Sequence, residues 1–244
     1  PIPERPIATV FRTRTRVRQF EARFDVAGRH IDCLLNATPL LTADGTFDGV
    51  VATIHDITRR KQLEEELRHR AMHDPLTGLP NRALFLDRAH QALAGARRSG
   101  TSVAVLYVDL DNFKPVNDTW GHAAGDDLLM QVAELLELDL REDDTAARIG
   151  GDEFAVLLRG ITPHVDVREI GERLLAVLSR PISLDSAGGD GIVITPSIGI
   201  AISNGGDDDP SDLLSRADAA MYQAKRAGKH TVTIYDGVSD VTIH

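Results

Sequence analysis

Two apolar runs joined through a glycine pair set the first constraint on this chain. Ala146-Ala147-Arg148-Ile149 leads into Gly150-Gly151, Asp152-Glu153-Phe154 follows, and Ala155-Val156-Leu157-Leu158 leads away. Glycine tolerates the positive φ that two-residue β-turns require, so the stretch reads as a tight hairpin. The turn presents two adjacent carboxylates beside a glycine backbone. Such a tip suits a metal ion and a phosphate, and it is also the make-up of an ordinary solvated acidic turn. The rest of the chain has to decide between them.

The 244 residues, 42% of them hydrophobic, allow one large domain or one domain with a smaller companion. With 27 basic against 37 acidic residues the net charge is −10, which argues against binding to DNA or RNA and requires local cations or a metal wherever a polyanionic substrate binds. A single cysteine, Cys33, excludes an internal disulfide and a zinc cluster and fits a reducing compartment. No run approaches the ~18 apolar residues of a membrane span, so membrane contact is not expected of this chain. Its opening, Pro-Ile-Pro-Glu-Arg-Pro without an initiator Met, suggests a fragment, and a longer, membrane-anchored parent protein is compatible with it.

Residues 10–57 read as three or four antiparallel strands. Val10 to Phe20 carries alternating Arg12, Arg14, Arg16 and Arg18, expected on one solvated strand face. Gly28 and Ala43-Asp44-Gly45 supply turns. Residues 58–73 read as a helical connector, with Thr58 as its cap and Leu63 and Leu67 at i, i+4. From Met72 the pattern turns to mixed α/β. Residues 83–98 are helical, stopping near Gly100. A helix follows Asp126 with Leu128, Leu129, Val132, Leu135 and Leu136 inward. Thr162-Pro163 opens another, with Ile170, Leu174 and Leu178 inward. Ile192 to Ala201 is a strand, irregular at Pro196 and Gly199. Ser203 to Pro210 is an acidic loop. Ser211 caps a last helix, stopped by Gly228, and Thr231 to Tyr235 is a final strand.

The most informative run is Val103-Ala104-Val105-Leu106-Tyr107-Val108, a strand buried on both faces, ending in Asp109 and Asp111. A carboxylate at the lip of a buried strand costs free energy unless it is paired or bound to a cation, which singles out Asp109 as a ligand candidate. From residue 102 the order of elements predicts an α+β fold, a ferredoxin-like, palm-like βαββαβ core with a mixed sheet. That topology lets Asp109 and Asp152 approach one another. Trp120 is expected to pack, Met221 to sit in the core and Tyr222 on a helix surface.

Gly150-Gly151-Asp152-Glu153-Phe154 resembles the name motif of the GGDEF domain, the diguanylate cyclases. Supporting segments stand in the family's order: Asp74-x-Leu76-Thr77, the Asp109–Asp126 segment, Ser197-Ile198-Gly199, and Ala217-Asp218-x-Ala220-Met221-Tyr222-x-Ala224-Lys225. Ile54-His55-Asp56-Ile57-Thr58-Arg59-Arg60-Lys61 resembles the closing strand and exit of a PAS sensor domain, without the half that encloses a ligand. The organisation expected is therefore 1–57 as the C-terminal part of a PAS-like domain, 58–73 as connector, 74–236 as the GGDEF domain and 237–244 as tail.

The resemblance implies condensation of two GTP into cyclic di-GMP with release of two pyrophosphates, in the cytoplasm, on Mg²⁺ with Mn²⁺ as an alternative. It implies Asp109, the Leu110 carbonyl and Asp152 as metal ligands, with Asp152 as general base, Glu153 as its acidic neighbour and Lys114 as a stabiliser of phosphate charge. Phe113 backbone, Asn117, His122, Asp126, Lys225 and Lys229 fall at substrate positions, Asn117 and Asp126 as guanine readers. Lys229 replaces the Arg common in the family, keeping charge and losing a bidentate fork. His122 and Lys229 also admit purely structural readings, the latter as a helix-end cation. Arg141 and Asp144 match the family's Arg-x-x-Asp inhibitory site for cyclic di-GMP, with Arg168 or Arg173 as a further arginine. Each site holds one GTP, so a homodimer is expected. The rival reading is a catalytically idle domain that binds GTP or cyclic di-GMP.

Overall fold

A computed structural model describes residues 6–26, 28–183, 191–204 and 208–237. Expectations for 205–207 of the acidic loop and for 238–244 of the tail lie outside the described residues. The chain divides into two compact units, Pro1–Ala71 and Met72–His244. Among the described residues no helix is long and apolar enough to cross a membrane.

In the first unit, helix α1 (Pro6–Thr13) precedes an antiparallel sheet of β1 (Val17–Val26), β2 (Arg29–Leu41) and β3 (Phe47–Asp56), in the order β1-β2-β3. The strand expected from Val10 is thus corrected: its first part is helical. Val10 is fully buried, Phe11 meets Phe47 edge-on at 5.4 Å, and Arg14 lies 3.4 Å over the same ring. Arg14 takes φ 56, which ends the helix before the arginine row can form one strand face. Cys33, Leu35 and Ala37 are buried on β2. Helix α2 (Thr58–Met72) follows and buries none of its residues, so Leu63 and Leu67 stay exposed. Thr58 is not its cap. Its hydroxyl accepts from the Asp32 amide, and the Asp56 carboxylate takes the Thr58 N–H instead.

The second unit is built on a five-stranded mixed sheet in the order β10-β9-β4-β6-β5. Its strands are β4 (Ser102–Asp111), β5 (Thr145–Gly150), β6 (Glu153–Ile161), β9 (Thr195–Ile202) and β10 (Val232–Ile234), and β7 (Ile182–Ser183) and β8 (Gly191–Ile192) form a separate two-stranded ribbon whose Ile182 and Ile192 join the same core. β4 is central, antiparallel to both β6 and β9, and only β10 runs parallel to its neighbour. This is the ferredoxin-like βαββαβ core, extended by a helix and a strand. Side-chain alternation sorts the two faces. Val103, Val105 and Tyr107 pack with α3 (Arg82–Ser99) and α7 (Pro210–Arg226). Ala104, Leu106 and Val108 pack with α5 (His122–Asp139) and α6 (Val167–Leu178). Asp109, an odd-numbered residue, therefore belongs to the α7 side.

Local chemistry sets several boundaries differently from the sequence expectation. The cap of α6 is Asp166, accepting from Arg168 and Glu169 amides, so Thr162-Pro163 lies in a turn ahead of the helix. Asp209 caps α7 in place of Ser211, with Pro210 in the first turn. β9 pairs with β4 without a break from Thr195 to Ile202, so Gly199 is no irregularity. A Cβ there would lie 2.0 Å from the Met221 amide nitrogen and 2.1 Å from the Ala217 carbonyl oxygen, so glycine is what lets α7 lie directly on the sheet.

Candidate active site

The hairpin turns one residue later than expected. Gly150 pairs with Glu153, which leaves Gly151 and Asp152 as the two central residues. Gly151 has φ 51, as the first position of such a turn requires, and Asp152 stands at the tip. A β-bulge at Ile149 steps the register from Arg148↔Phe154 to Gly150↔Glu153. The Arg148 guanidinium closes back on the Gly151 carbonyl through Nε (3.0 Å) and Nη2 (2.7 Å) and reaches Asp74 through Nη1 (3.0 Å). Asp74 also accepts from the Thr77 amide and hydroxyl. Burial opposes ionisation of Asp74, but these hydrogen bonds and the arginine outweigh it and hold the carboxyl below its ordinary range.

Across the sheet, Asp109 lies directly opposite Glu153, and the Leu110 amide donates to the Asp152 carbonyl at 3.3 Å. Hydrogen bonds to β6 alternate with those to β9, so the Leu110 carbonyl is also turned to the hairpin side. Asp109 is 6% exposed, and its Oδ2 lies 2.6 Å from Lys225 Nζ. Burial raises the Asp109 carboxyl, the nearby Asp152 and Asp111 charges add to this, and Lys225 works the other way. Glu153 is raised by burial and by Asp109, Asp218 and Asp152, against the hydrogen bond from Tyr107. Burial likewise raises Asp218 on α7, with Lys225 opposing. Two carboxylates and a carbonyl thus gather at one edge of the sheet, beside a cation. Their oxygen donors and the net negative charge fit a hard divalent ion. Among the described residues no three or more His, Cys, Asp or Glu side chains form a complete metal cluster, so an ion held here would draw its remaining ligands from water or a bound molecule.

Asp111 is a frame residue. Buried to 3%, it accepts from Ser197 Oγ (2.8 Å), Thr195 Oγ1 (3.2 Å) and the His230 amide (3.1 Å), which ties β4 to β9 and to the loop after α7. Next, Asn112 takes the left-handed φ of 61 that asparagine adopts more readily than most residues. It starts a helix not foreseen from sequence, α4 (Phe113–Trp120). Lys114 is exposed on its first turn, and Trp120, expected to pack, is 44% exposed. Asn117 lies against Gly125 of α5, where a Cβ would come within 1.9 Å of Asn117 Oδ1. The α4–α5 corner therefore gathers Asn117, His122 and Asp126, the last two exposed on the first turns of α5. Lys229, at φ 65, donates from Nζ to Asn112 Oδ1 at 2.8 Å, which brings it to the start of α4.

Arg141 and Asp144 form their own turn, with the Asp144 amide on the Arg141 carbonyl (3.0 Å) and the Arg141 amide on Asp144 Oδ2 (3.3 Å). They line a depression together with Arg159 and Arg173. Arg173 is paired with Asp139 at 2.9 Å on its rim, whereas Arg168 turns to the Val232 carbonyl. Of the two arginines left open by the sequence, Arg173 is the one beside Arg141. Sequence reasoning gave no role to Tyr107, Asn112 or Arg148. Tyr107 left one signal, a lone polar group inside an apolar strand.

Comparison with known proteins agrees with this geometry. The family described as "Diguanylate cyclase, GGDEF domain" matches residues 71–231, and a PAS fold matches residues 1–62. Diguanylate cyclase TpbB of Pseudomonas aeruginosa is 39% identical over 226 residues, covering 91% of this chain and 49% of that protein. The solved GGDEF domain of that protein superposes with a TM-score of 0.63 at 42% identity, covering 67% of this chain and 94% of its own. The coiled coil and GGDEF domain of DgcB from Caulobacter crescentus, solved with c-di-GMP, gives 0.66 at 35% identity, covering 73% and 93%. The chain spans about half the length of the first of these relatives. A family match over most of the chain, on a fold that sets Asp109 beside the Gly150–Phe154 hairpin, establishes that the chain belongs to the GGDEF family of diguanylate cyclase domains.

Proposed function

We propose that the chain is a metal-dependent diguanylate cyclase that joins two GTP into cyclic di-GMP and releases two pyrophosphates. The observation that carries this reading is the edge where Asp109 and Leu110 meet the hairpin, with the Leu110 amide 3.3 Å from the Asp152 carbonyl and Lys225 Nζ 2.6 Å from Asp109. Mg²⁺, or Mn²⁺, held there would polarise the α-phosphate and ease loss of the 3′-hydroxyl proton. Asp152, at the turn tip, takes that proton on its carboxylate, with Glu153 beside it. Lys225, Lys114 and Lys229, with the amides of the α4 N-terminus near Phe113, hold the triphosphate charge. Asp126 accepts from guanine N1–H and the exocyclic amine, and Asn117 pairs with the remaining edge. Adenine leaves that carboxylate unsatisfied, which discriminates against ATP. His122 lies at the same corner as a further substrate contact.

Each site takes one GTP, so two copies face one another for the reaction, and activity rises with dimer formation. The depression at Arg141, Asp144 and Arg173 is the proposed inhibitory site for cyclic di-GMP: guanidinium forks suit its phosphates and Asp144 suits its guanine. The reaction belongs to the cytoplasm, where GTP is available. Incubation with GTP and Mg²⁺ followed by chromatography tests the reading. Cyclic di-GMP is the expected product. GTP bound and left unconverted at high protein concentration contradicts the cyclase reading.

A further inference from the structure

β4 is buried along its length, and between Val103 and Val108 it carries one polar side-chain atom, Tyr107 Oη. A buried hydroxyl without a partner is costly, so its direction is informative. Tyr107 is 6% exposed and donates to Glu153 Oε2 at 3.1 Å. Strand alternation puts Tyr107 on the same face as Asp109, and Asp109 is the residue directly across from Glu153. The Glu153 carboxylate therefore leans one step back along β4, diagonal to its own pairing position. The charges that act on it most, those of Asp109, Asp218 and Asp152, are all negative. Among the described residues, Tyr107 is the one hydrogen-bond donor to the Glu153 side chain. Without it, the Glu153 side chain loses the hydrogen bond that fixes its direction at the edge where the metal and the reacting hydroxyl would meet.

We propose that Tyr107 is a positioning residue for the cyclase reaction: its hydroxyl fixes the Glu153 carboxylate beside Asp109 and Asp152, so that the acidic edge keeps one geometry as metal and GTP arrive. The proposal rests on the cyclase reading above. Tyr107 itself touches neither substrate nor metal. Partners that orient a metal site's carboxylates from behind are worth roughly tenfold or more in affinity or rate.

The test is a double-mutant cycle of wild type, Tyr107→Phe, Glu153→Gln and the double variant. Tyr107→Phe removes one oxygen and keeps the buried ring. It is expected to lower kcat about tenfold and to raise the Mg²⁺ concentration for half-maximal rate, with KM for GTP within about twofold. In the Glu153→Gln background the same change should cost less than about twofold, because the group it positions is already altered. Equal losses in both backgrounds, or a loss confined to KM, overturn the proposal and leave Tyr107 a packing residue. If the wild-type chain binds GTP and forms no product, the cyclase reading fails, and the four proteins are compared by Mn²⁺ affinity in the presence of GTP. Weakening by Tyr107→Phe only where Glu153 is intact sustains the positioning role; equal weakening or none removes it. A wild-type chain that binds no Mn²⁺ with GTP overturns both.

Discussion

Arg148 and Asp74, 74 positions apart, are joined at 3.0 Å, and the same guanidinium closes on the carbonyl of Gly151 in the hairpin turn. One side chain thus fastens the segment that opens the second unit to the turn that presents Asp152. The Arg148 amide also donates to the Pro80 carbonyl at 3.0 Å, so the fastening is doubled along the backbone.

Lysine in place of Arg148 keeps the charge and loses the fork, so it cannot serve Gly151 and Asp74 together. Arg148→Lys is expected to cost about 2 kcal/mol, the scale of a charged hydrogen bond lost from a half-buried site. It should also slow cyclic di-GMP formation, because the Asp152 turn loses its brace. Urea unfolding and an initial-rate assay measure the two effects. An unchanged midpoint would show that the arginine braces nothing.

Asp218 gives a pH prediction with a definite sign. Burial raises its folded-state pKa above the ordinary 3.8. Its contribution to stability is therefore fully present below about pH 3.8 and is lost as pH rises through the folded value. Asp218→Asn removes that loss. The variant should be more stable than wild type at pH 7 and no different at pH 3, read as unfolding midpoints across the range. A gain that grows on acidification would reverse the assignment.

Gly125→Ala tests the α4–α5 corner. The new methyl would sit 1.9 Å from Asn117 Oδ1 and must displace that side chain. The expected result is a rise of about tenfold in KM for GTP, the worth of roughly one hydrogen bond to the base, with far-UV circular dichroism unchanged. Unaltered GTP affinity would take Asn117 out of guanine recognition.

Arg141→Ala should leave the initial rate intact and raise the cyclic di-GMP concentration for half-inhibition at least about tenfold, since a forked phosphate contact is lost. Progress curves with added product measure this. Inhibition that persists at the same concentration removes the depression lined by Arg141, Asp144 and Arg173 from regulation.

Much of this arrangement was legible in the chain itself. A continuous apolar run ending in Asp109 announced a doubly buried strand, and the order of elements announced which strands would be neighbours. The glycine pair located the hairpin but not its register. Gly150-Gly151 and Gly151-Asp152 are both acceptable turn centres, and the Ile149 bulge that decides between them depends on pairing with β6. Helix starts were missed where competing caps stood a few residues apart: Asp166 against Thr162, and Asp209 against Ser211. Val10 to Phe20 was misread because arginines at every second position mimic a strand face, while burial of Val10 and the turn at Arg14 depend on tertiary packing. Arg148 was silent for the same reason, since its partner Asp74 lies 74 positions away, and the lone hydroxyl of Tyr107 gave no sign of Glu153, 46 positions away.

The most direct measurement of the central claim compares wild type with Asp152→Ala in GTP and Mg²⁺, following cyclic di-GMP and pyrophosphate by chromatography. Asp152 sits at an open turn tip with its side chain only half-buried, so its removal should leave the fold and its unfolding midpoint unchanged. The account predicts two pyrophosphates per cyclic di-GMP from the wild type and a loss of at least about a hundredfold in the variant, the scale of removing a general base. A variant that turns over GTP at the wild-type rate would contradict it.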